Sequence, residues 1–218
     1  MYRPPYHRLD AQAAQFDLID AHPLGTWVCQ GGQGLIANHL PFVLDRTCGA
    51  YGTLLCHVAR GNPVWRTLKP DAPGVVAFMG PQAYITPGWY PGKAEHGRVV
   101  PTWDYVAVHA HGVARVVEDR DRLLDLLTRL TDAQEARQAA PWSVADAPAD
   151  FIESLLRAVV CIEIPITRLE GRLKASQDEA PADRQGTVDG LRERGHGADL
   201  ALADLVEQAL RPPAPEPP

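Results

Sequence analysis

The chain has 218 residues, 45% of them hydrophobic, with a formal charge of −6 and a pI near 5.7. That length builds a full hydrophobic core, in one large domain or a domain with a small appendage. The acidic balance argues against wholesale binding to nucleic acid or acidic membranes, and no run approaches the ~18 apolar residues of a membrane span.

The chain starts Met1-Tyr2-Arg3-Pro4-Pro5-Tyr6, polar and broken by proline, so no signal peptide is read there. Cys29, Cys48, Cys56 and Cys161 show no C-x-x-C spacing, and three of them, Cys29, Cys56 and Cys161, sit in apolar runs. Buried free thiols in a reducing cytoplasm are expected.

Residues 10–21 place Ala13, Phe16 and Ile19 near one helical face, with Asp10 as a cap and His22-Pro23 as the stop. Residues 24–30 read as a strand, Gly31-Gly32-Gln33-Gly34 as a hairpin turn and residues 35–45 as the return strand. The glycine cluster lacks the G-x-G-x-x-G spacing of a dinucleotide site. Residues 49–60 give another strand, 64–68 a helical turn, and 74–79 and 82–86 two short strands. The longest strand candidate is 101–117, with Val106, Val108, Ala110, Gly112, Ala114 and Val116 on its core side.

A charged helix over 119–138 carries Leu123, Leu127, Leu130 and Gln134 at helical spacing, widened by Leu124 and Leu126. A second helix is read over 148–157. Residues 159–169 form a strand in which Pro165 marks an edge or bulge, followed by a polar stretch to Gln177. An amphipathic helix over 198–211 precedes a proline-rich, disordered tail, 212–218. Short, closely spaced strands make the chain mostly β, an antiparallel barrel with peripheral helices and a C-terminal helix.

No G-x-S-x-G elbow and no P-loop is present, which argues against a serine hydrolase and a P-loop nucleotide enzyme. His109 and His111 share a strand face, but no acidic or histidine motif stands near them in sequence, so no metal site is expected. From His57 to Arg115 there are six Lys/Arg against three acids, a local excess of +3 in an acidic chain. Inside this segment Tyr84, Trp89, Tyr90, Trp103 and Tyr105 are interleaved with Lys93 and Arg98. The 86–93 loop, shaped by Pro87, Gly88, Pro91 and Gly92, suits a flat ligand with an anionic tail; it equally suits a packed aromatic turn with a solvent-facing lysine. Arg60 and Asn62 form a second polar cluster at a strand end.

Several motifs occur in a specific order. They are His39 with Leu40-Pro41-Phe42, His57-Val58-Ala59-Arg60 with Asn62-Pro63 and Trp65, and Gly80-Pro81 with Ala83-Tyr84-Ile85. Trp89-Tyr90-Pro91 with Lys93, Val99-Val100-Pro101-Thr102-Trp103 with Tyr105, Val108-His109-Ala110-His111-Gly112, and Glu170-Gly171 with Ser176-Gln177 follow. Over residues 1 to 190 the set resembles the PaiB-type family of FMN-binding negative transcriptional regulators.

The resemblance implies a split antiparallel β-barrel over 1–190, a helical extension over 191–211, FMN as cofactor and a homodimer with flavin near the interface. Within it, Lys93 and Thr86, helped by Arg60, are expected to hold the phosphate. Trp89, Tyr90 and Trp103 flank the ring, Asn62, Thr102 and Gln177 bond its polar edges, and Tyr84 and His39 join the set. No helix-turn-helix is read, which argues against direct DNA binding. The alternatives are an FMN-dependent oxidoreductase acting on a small substrate and a haem-binding split barrel with His39, His57, His109 or His111 as axial ligand. The chain departs from the family at Gly88 and Gly92, where serine is usual, at Asp104 and Asp178, where asparagine is usual, at Arg172 (lysine) and at Ala175 (leucine). Losing two hydroxyls beside Lys93 and gaining Asp104 is expected to weaken anion affinity.

Overall fold

The computed structural model describes residues 1–210; the proline-rich tail lies outside the described residues. Its sheet is antiparallel wherever the pairing is resolved, and its strands run in the order β2-β1-β5-β6-β8-β4-β3 with β7 paired to β8. The strands are β1 (Leu24–Gly31), β2 (Gly34–Pro41), β3 (Val43–Asp45), β4 (Thr53–Ala59), β5 (Pro73–Ile85), β6 (Thr102–Val113), β7 (Arg115–Val117) and β8 (Val159–Lys174). The helices are α1 (Gln12–Ala21), α2 (Val64–Thr67), α3 (Gly92–Glu95), α4 (Arg120–Glu135), α5 (Ala149–Ala158), α6 (Pro181–Arg194) and α7 (Asp199–Leu210). None of them is long and apolar enough to cross a membrane.

The chain divides into two compact units. The first holds Met1–Asp10, Met79–Val108 and the chain from Glu170 onward; the second holds Ala11–Phe78 and His109–Leu169. In the second unit the glycine cluster makes the expected hairpin, with Leu24 opposite Pro41 and Gly31 opposite Gly34. Gly34 supplies the positive φ, 125°, that closes the turn. Strand β4 pairs with β8 from Thr53 opposite Pro165 to Ala59 opposite Val159. Pro165 therefore stands where the β4 ladder ends, and its missing N–H costs little there.

Helices α4 and α5 close a core of Leu55, Leu123, Leu126, Leu130, Leu156 and Cys161. Leu127, expected in the central stripe, is only partly buried; the buried stripe is Leu123, Leu126 and Leu130. Asp119 caps α4 through a 2.8 Å bond from the Arg122 N–H. Asp119→Ala is expected to cost about 1 kcal/mol, read as a lower urea midpoint with unchanged slope.

Four expectations need correction. The return strand read over 35–45 ends at Pro41, and Val43–Asp45 is a separate strand, β3, paired with β4. The 74–79 and 82–86 segments are one strand, β5, running through Gly80-Pro81. The resolved pairing of β5 with β1 stops at Ala77, opposite Thr26, so Pro81 lies beyond the β1 ladder. Asp10 does not cap α1: the helix starts at Gln12, Ala11 stands at its N-cap without a side-chain bond, and Asp10 accepts from Arg3 at 3.0 Å. Residues 101–117 are two strands, β6 and β7, broken at Ala114. The cysteines follow expectation, with Cys29, Cys56 and Cys161 buried and Cys48 exposed.

In the first unit, α6 and α7 pack on the ends of β5 and β8. Its core holds Ala83, Ile85, Tyr90, Ala175, Val188, Leu191, Leu202, Ala203 and Val206. Helix α6 was not read from the sequence, and α7 matches the expected C-terminal helix over the described residues.

Candidate functional site

Strands β5 and β6 of the first unit alternate between core and surface. Ala83 and Ile85 point inward, while Gln82 and Tyr84 point outward; Asp104 and Val106 are buried, while Trp103 is exposed. The outward residues form one aromatic face. The Tyr84 and Trp103 rings meet edge to face, centroids 6.3 Å apart, and the Trp103 indole N–H donates to Gln82 Oε1 at 3.2 Å. Tyr84 is 45% and Trp103 51% exposed, a large aromatic area for two fixed rings to leave in water.

The turn after β5 is built tightly. Thr86 Oγ1 accepts from the Gly88 N–H at 3.1 Å and so caps a single 3-10 turn, Pro87–Trp89. Trp89 packs against α6, with the Arg194 guanidinium 4.9 Å from its ring centroid. Tyr90 is buried in the core. Its hydroxyl lies near Thr187 and Ser176 without a well-formed hydrogen bond, and burial pushes its pKa up to about 12. Lys93, on α3, is exposed and forms no ion pair among the described residues.

Gly92 is not an empty serine position. Its N–H donates to the buried Asp183 of α6 at 2.9 Å, and a Cβ there would meet Asp183 Oδ2 at 2.9 Å and His96 Nε2 at 3.0 Å. A side chain at 92 would displace the Asp183 contact. At Gly88 a Cβ would meet only Thr86, at 3.3 Å from the hydroxyl. Of these two glycines, Gly92 is the one where a side chain would have to move Asp183 and His96.

Asp104 is likewise no surface acid beside a phosphate loop. It is fully buried, accepts from Ser176 Oγ at 2.6 Å and pairs with Lys174 Nζ at 3.2 Å. Lys174 also donates to Thr102 Oγ1 and, at 3.0 Å, to the Trp103 carbonyl. Burial raises the Asp104 pKa, while Ser176 and Lys174 oppose the rise. Ser176 adopts a left-handed φ of 55°, and Gln177 stitches the turn. It accepts from the Ala175 N–H and donates to the Leu173 carbonyl, both at 2.7 Å.

One further cation belongs here. Arg172 lies 5.3 Å from the Tyr105 ring centroid and 5.7 Å from that of Tyr2. It donates to the Tyr2 carbonyl at 3.1 Å and to His7 Nδ1 at 3.3 Å. Its buried Nε has no partner. Burial lowers the pKa of His7, whose Nε2 faces Asp178 at 3.6 Å.

The structure thus brings Tyr84 and Trp103 together on one face, places Thr102 under Lys174, and sets Trp89, Tyr90 and Gln177 into the frame. Arg60, Asn62 and His39 belong to the second unit. There Arg60 donates to the carbonyls of Arg157 at 2.8 Å and Val159 at 3.2 Å, closing the C-terminal end of α5. Asn62 accepts from the Val64 N–H at 3.0 Å and donates to Asn38 at 2.9 Å. Exposed His39 shares a 3.0 Å bond with Thr26. Sequence reasoning passed over Arg172 and Lys174 as site residues. The signal was present in the alternation of Arg172 and Lys174 along β8, which puts both on one face.

Residues 1–168 match the family described as "Putative FMN-binding domain". The chain belongs to this FMN-binding family. It is 29% identical to the protease synthase and sporulation protein PAI 2 of Bacillus subtilis, over 97% of this chain and 99% of that protein. It is 30% identical to an uncharacterized protein of Emericella nidulans, over 79% of this chain and 81% of the other. Among solved structures, the FAD and heme binding protein from Mycobacterium smegmatis superposes with a TM-score of 0.58 at 19% identity, covering 77% of this chain and 73% of that one. The flavocytochrome Anf3 from Azotobacter vinelandii gives 0.57 at 12% identity, over 80% and 72%. These likenesses give the FMN-binding chain its fold, the split barrel.

The first unit fits the family's cofactor on its own chemistry. An isoalloxazine needs flat apolar contact, and Tyr84 and Trp103 leave that contact open. A phosphate needs a cation with spare donors, and exposed Lys93 and the terminal nitrogens of Arg172, each with one N–H not used on Tyr2 or His7, supply both.

Proposed function

We propose that the protein binds FMN on the aromatic face of the first unit and acts as a flavin-dependent control protein. The observation that carries this reading is the half-exposed Tyr84–Trp103 pair, fixed by the Gln82 bond, in a chain of an FMN-binding family. Tyr84 and Trp103 contact the ring, and Lys93 reaches the phosphate tail from the adjoining turn. Trp89, Tyr90, Thr86, Thr102 and Gln177 hold the turn and the strand ends that present these groups. Arg60, Asn62 and His39 serve local contacts of the second unit, with the Arg157 and Val159 carbonyls, the Val64 N–H and Thr26. When bound, FMN supplies one- and two-electron redox chemistry; the chain's own residues bind it, orient it and shield one ring face from water.

The name of the Bacillus subtilis relative, which refers to protease synthesis and sporulation, supports a control role. A homodimer in the cytoplasm without direct DNA contact completes the proposal; the formal charge of −6 disfavours DNA. Light scattering of the loaded protein checks the dimer.

The binding test is a titration of purified apoprotein with FMN, followed by flavin fluorescence quenching. Trp103→Ala is expected to weaken FMN binding by roughly tenfold, from loss of one stacking contact of ~1–1.5 kcal/mol. Lys93→Ala is expected to weaken it by about threefold, as suits an exposed charge pair. A wild-type protein that binds no FMN ends the proposal.

A further inference from the structure

Three cations of the first unit, Lys174, Lys93 and Arg172, sit in different environments, while a fourth, Arg194, is taken up by Asp199 and the Tyr84 carbonyl. Lys174 is neutralised: Asp104 sits 3.2 Å from its ammonium, and Thr102 and the Trp103 carbonyl take its remaining donors. Lys93 is exposed on a short helix, where water screens it and its four-carbon stem is unrestrained. Arg172 is held but not neutralised. Tyr2 and Tyr105 lie within 5.7 Å of its guanidinium carbon, and its two donated bonds go to neutral acceptors, the Tyr2 carbonyl and His7 Nδ1. It forms no ion pair among the described residues. Asp178, an acid of the same cluster, faces His7 instead, at 3.6 Å.

A part-buried guanidinium without a carboxylate, packed against two tyrosine rings and using one N–H of each terminal nitrogen on a neutral acceptor, keeps a second N–H on each for an anion, with its ordering cost already met. The local bonds also fix how His7 serves it. An arginine N–H can donate to His7 Nδ1 only when that nitrogen is unprotonated, so His7 acts as a neutral acceptor and adds no competing anion.

We propose that Arg172 is the residue that reads the phosphate of the flavin nucleotide, and so sets the preference of this protein for FMN over riboflavin. The inference rests on the FMN reading above and assigns its anion contact to Arg172 ahead of Lys93. Tyr2 and His7 are positioning residues: they touch the guanidinium, not the ligand.

The experiment compares FMN and riboflavin, which share the ring and differ in the phosphate. Fluorescence titrations are run on the full-length wild type, on Arg172→Gln and on Arg172→Lys. Arg172→Gln is expected to weaken FMN by at least about tenfold, the worth of a charge-assisted hydrogen bond, with riboflavin affinity unchanged. Arg172→Lys is expected to keep part of the preference for FMN, because charge survives and the planar fork does not. A second measurement needs no variant: phenylglyoxal labelling of wild type, read by mass spectrometry, should show Arg172 protected by FMN and not by riboflavin. An Arg172→Gln protein that still prefers FMN, or one that loses both flavins equally, overturns the inference while leaving FMN binding standing. Equal labelling of Arg172 with either flavin overturns it too. If wild type binds neither flavin, the FMN reading fails and this inference fails with it.

Discussion

Lys174→Met is expected to destabilise the protein by about 3 kcal/mol, because it strands a carboxylate in the core. Asp104 is fully buried, with Lys174 at 3.2 Å and the Ser176 hydroxyl at 2.6 Å as its side-chain partners and the Ser176 backbone N–H as a further donor. Removing the lysine leaves a buried charge with donors from Ser176 alone, its hydroxyl and its backbone N–H, and no counter-charge, so the variant must bind a proton or lose structure. The pH dependence carries the signature. Burial holds the folded Asp104 pKa above its ordinary value of 3.8, with Ser176 and Lys174 pulling it back. A raised acid binds more protons folded than unfolded. Its contribution is therefore greatest below the unfolded pKa and is lost as pH rises through the folded pKa. Without Lys174 the folded value climbs further, and the loss extends to higher pH. Urea midpoints measured between about pH 4 and about pH 8 should fall more steeply in Lys174→Met than in wild type. Asp104→Asn, which restores the residue usual in the resembling family, should flatten the Asp104 part of that slope. Equal slopes and midpoints in wild type and Lys174→Met would mean that Asp104 is already protonated and the pair is no ion pair.

The same residue shows what sequence could and could not disclose. The alternation that put Val106, Val108, Ala110 and Gly112 on the core side of β6 extends back to residue 104, and the strand buries all five positions. Asp104 was thus legible as an inward acid, but its partners were not: Lys174 and Ser176 lie some seventy residues on, and nothing local ties them to it. The aromatic face was legible for the same reason of period, since Gln82 and Tyr84 alternate with the inward Ala83 and Ile85. Chemistry read from residue type alone travelled less well. Arg60 and Asn62 look like a ligand cluster, yet backbone carbonyls and a helix start use their donors and acceptors. Gln177 looks like a flavin contact and closes a turn. Such residues are chosen for polar geometry, and local backbone groups are always the nearest partners. The Gly88 and Gly92 departures read as one loss of anion affinity, whereas Gly92 is held by Asp183 and only Gly88 has room.

Helix α6 was missed because it is polar and carries two glycines, Gly186 and Gly190, which argue against a helix on propensity. Their spacing of four is the explanation, since it puts both on one helical face, and Trp89 lies against that face. A Cβ at Gly190 would fall inside contact distance of the Trp89 indole atoms Cγ, Cδ2 and Cε2, and one at Gly186 would strike the Trp89 carbonyl. Gly190→Ala is therefore expected to cost about 2–3 kcal/mol, the upper range for overpacking, even though alanine is the better helix former. The sign should reverse when the ring is absent. In a Trp89→Ala background the clash disappears, and Gly190→Ala should stabilise α6 by up to about 1 kcal/mol. Urea unfolding of the four proteins in this cycle measures the coupling; independent, additive effects would show that Trp89 and Gly190 do not touch. Flavin titration of the same four proteins separates the roles of the two tryptophans. Trp89 is gripped by α6 and by Arg194, 4.9 Å from its ring centroid, so Trp89→Ala should disturb FMN binding less than Trp103→Ala does. The reverse order would move the ring contact from the strand face to the turn.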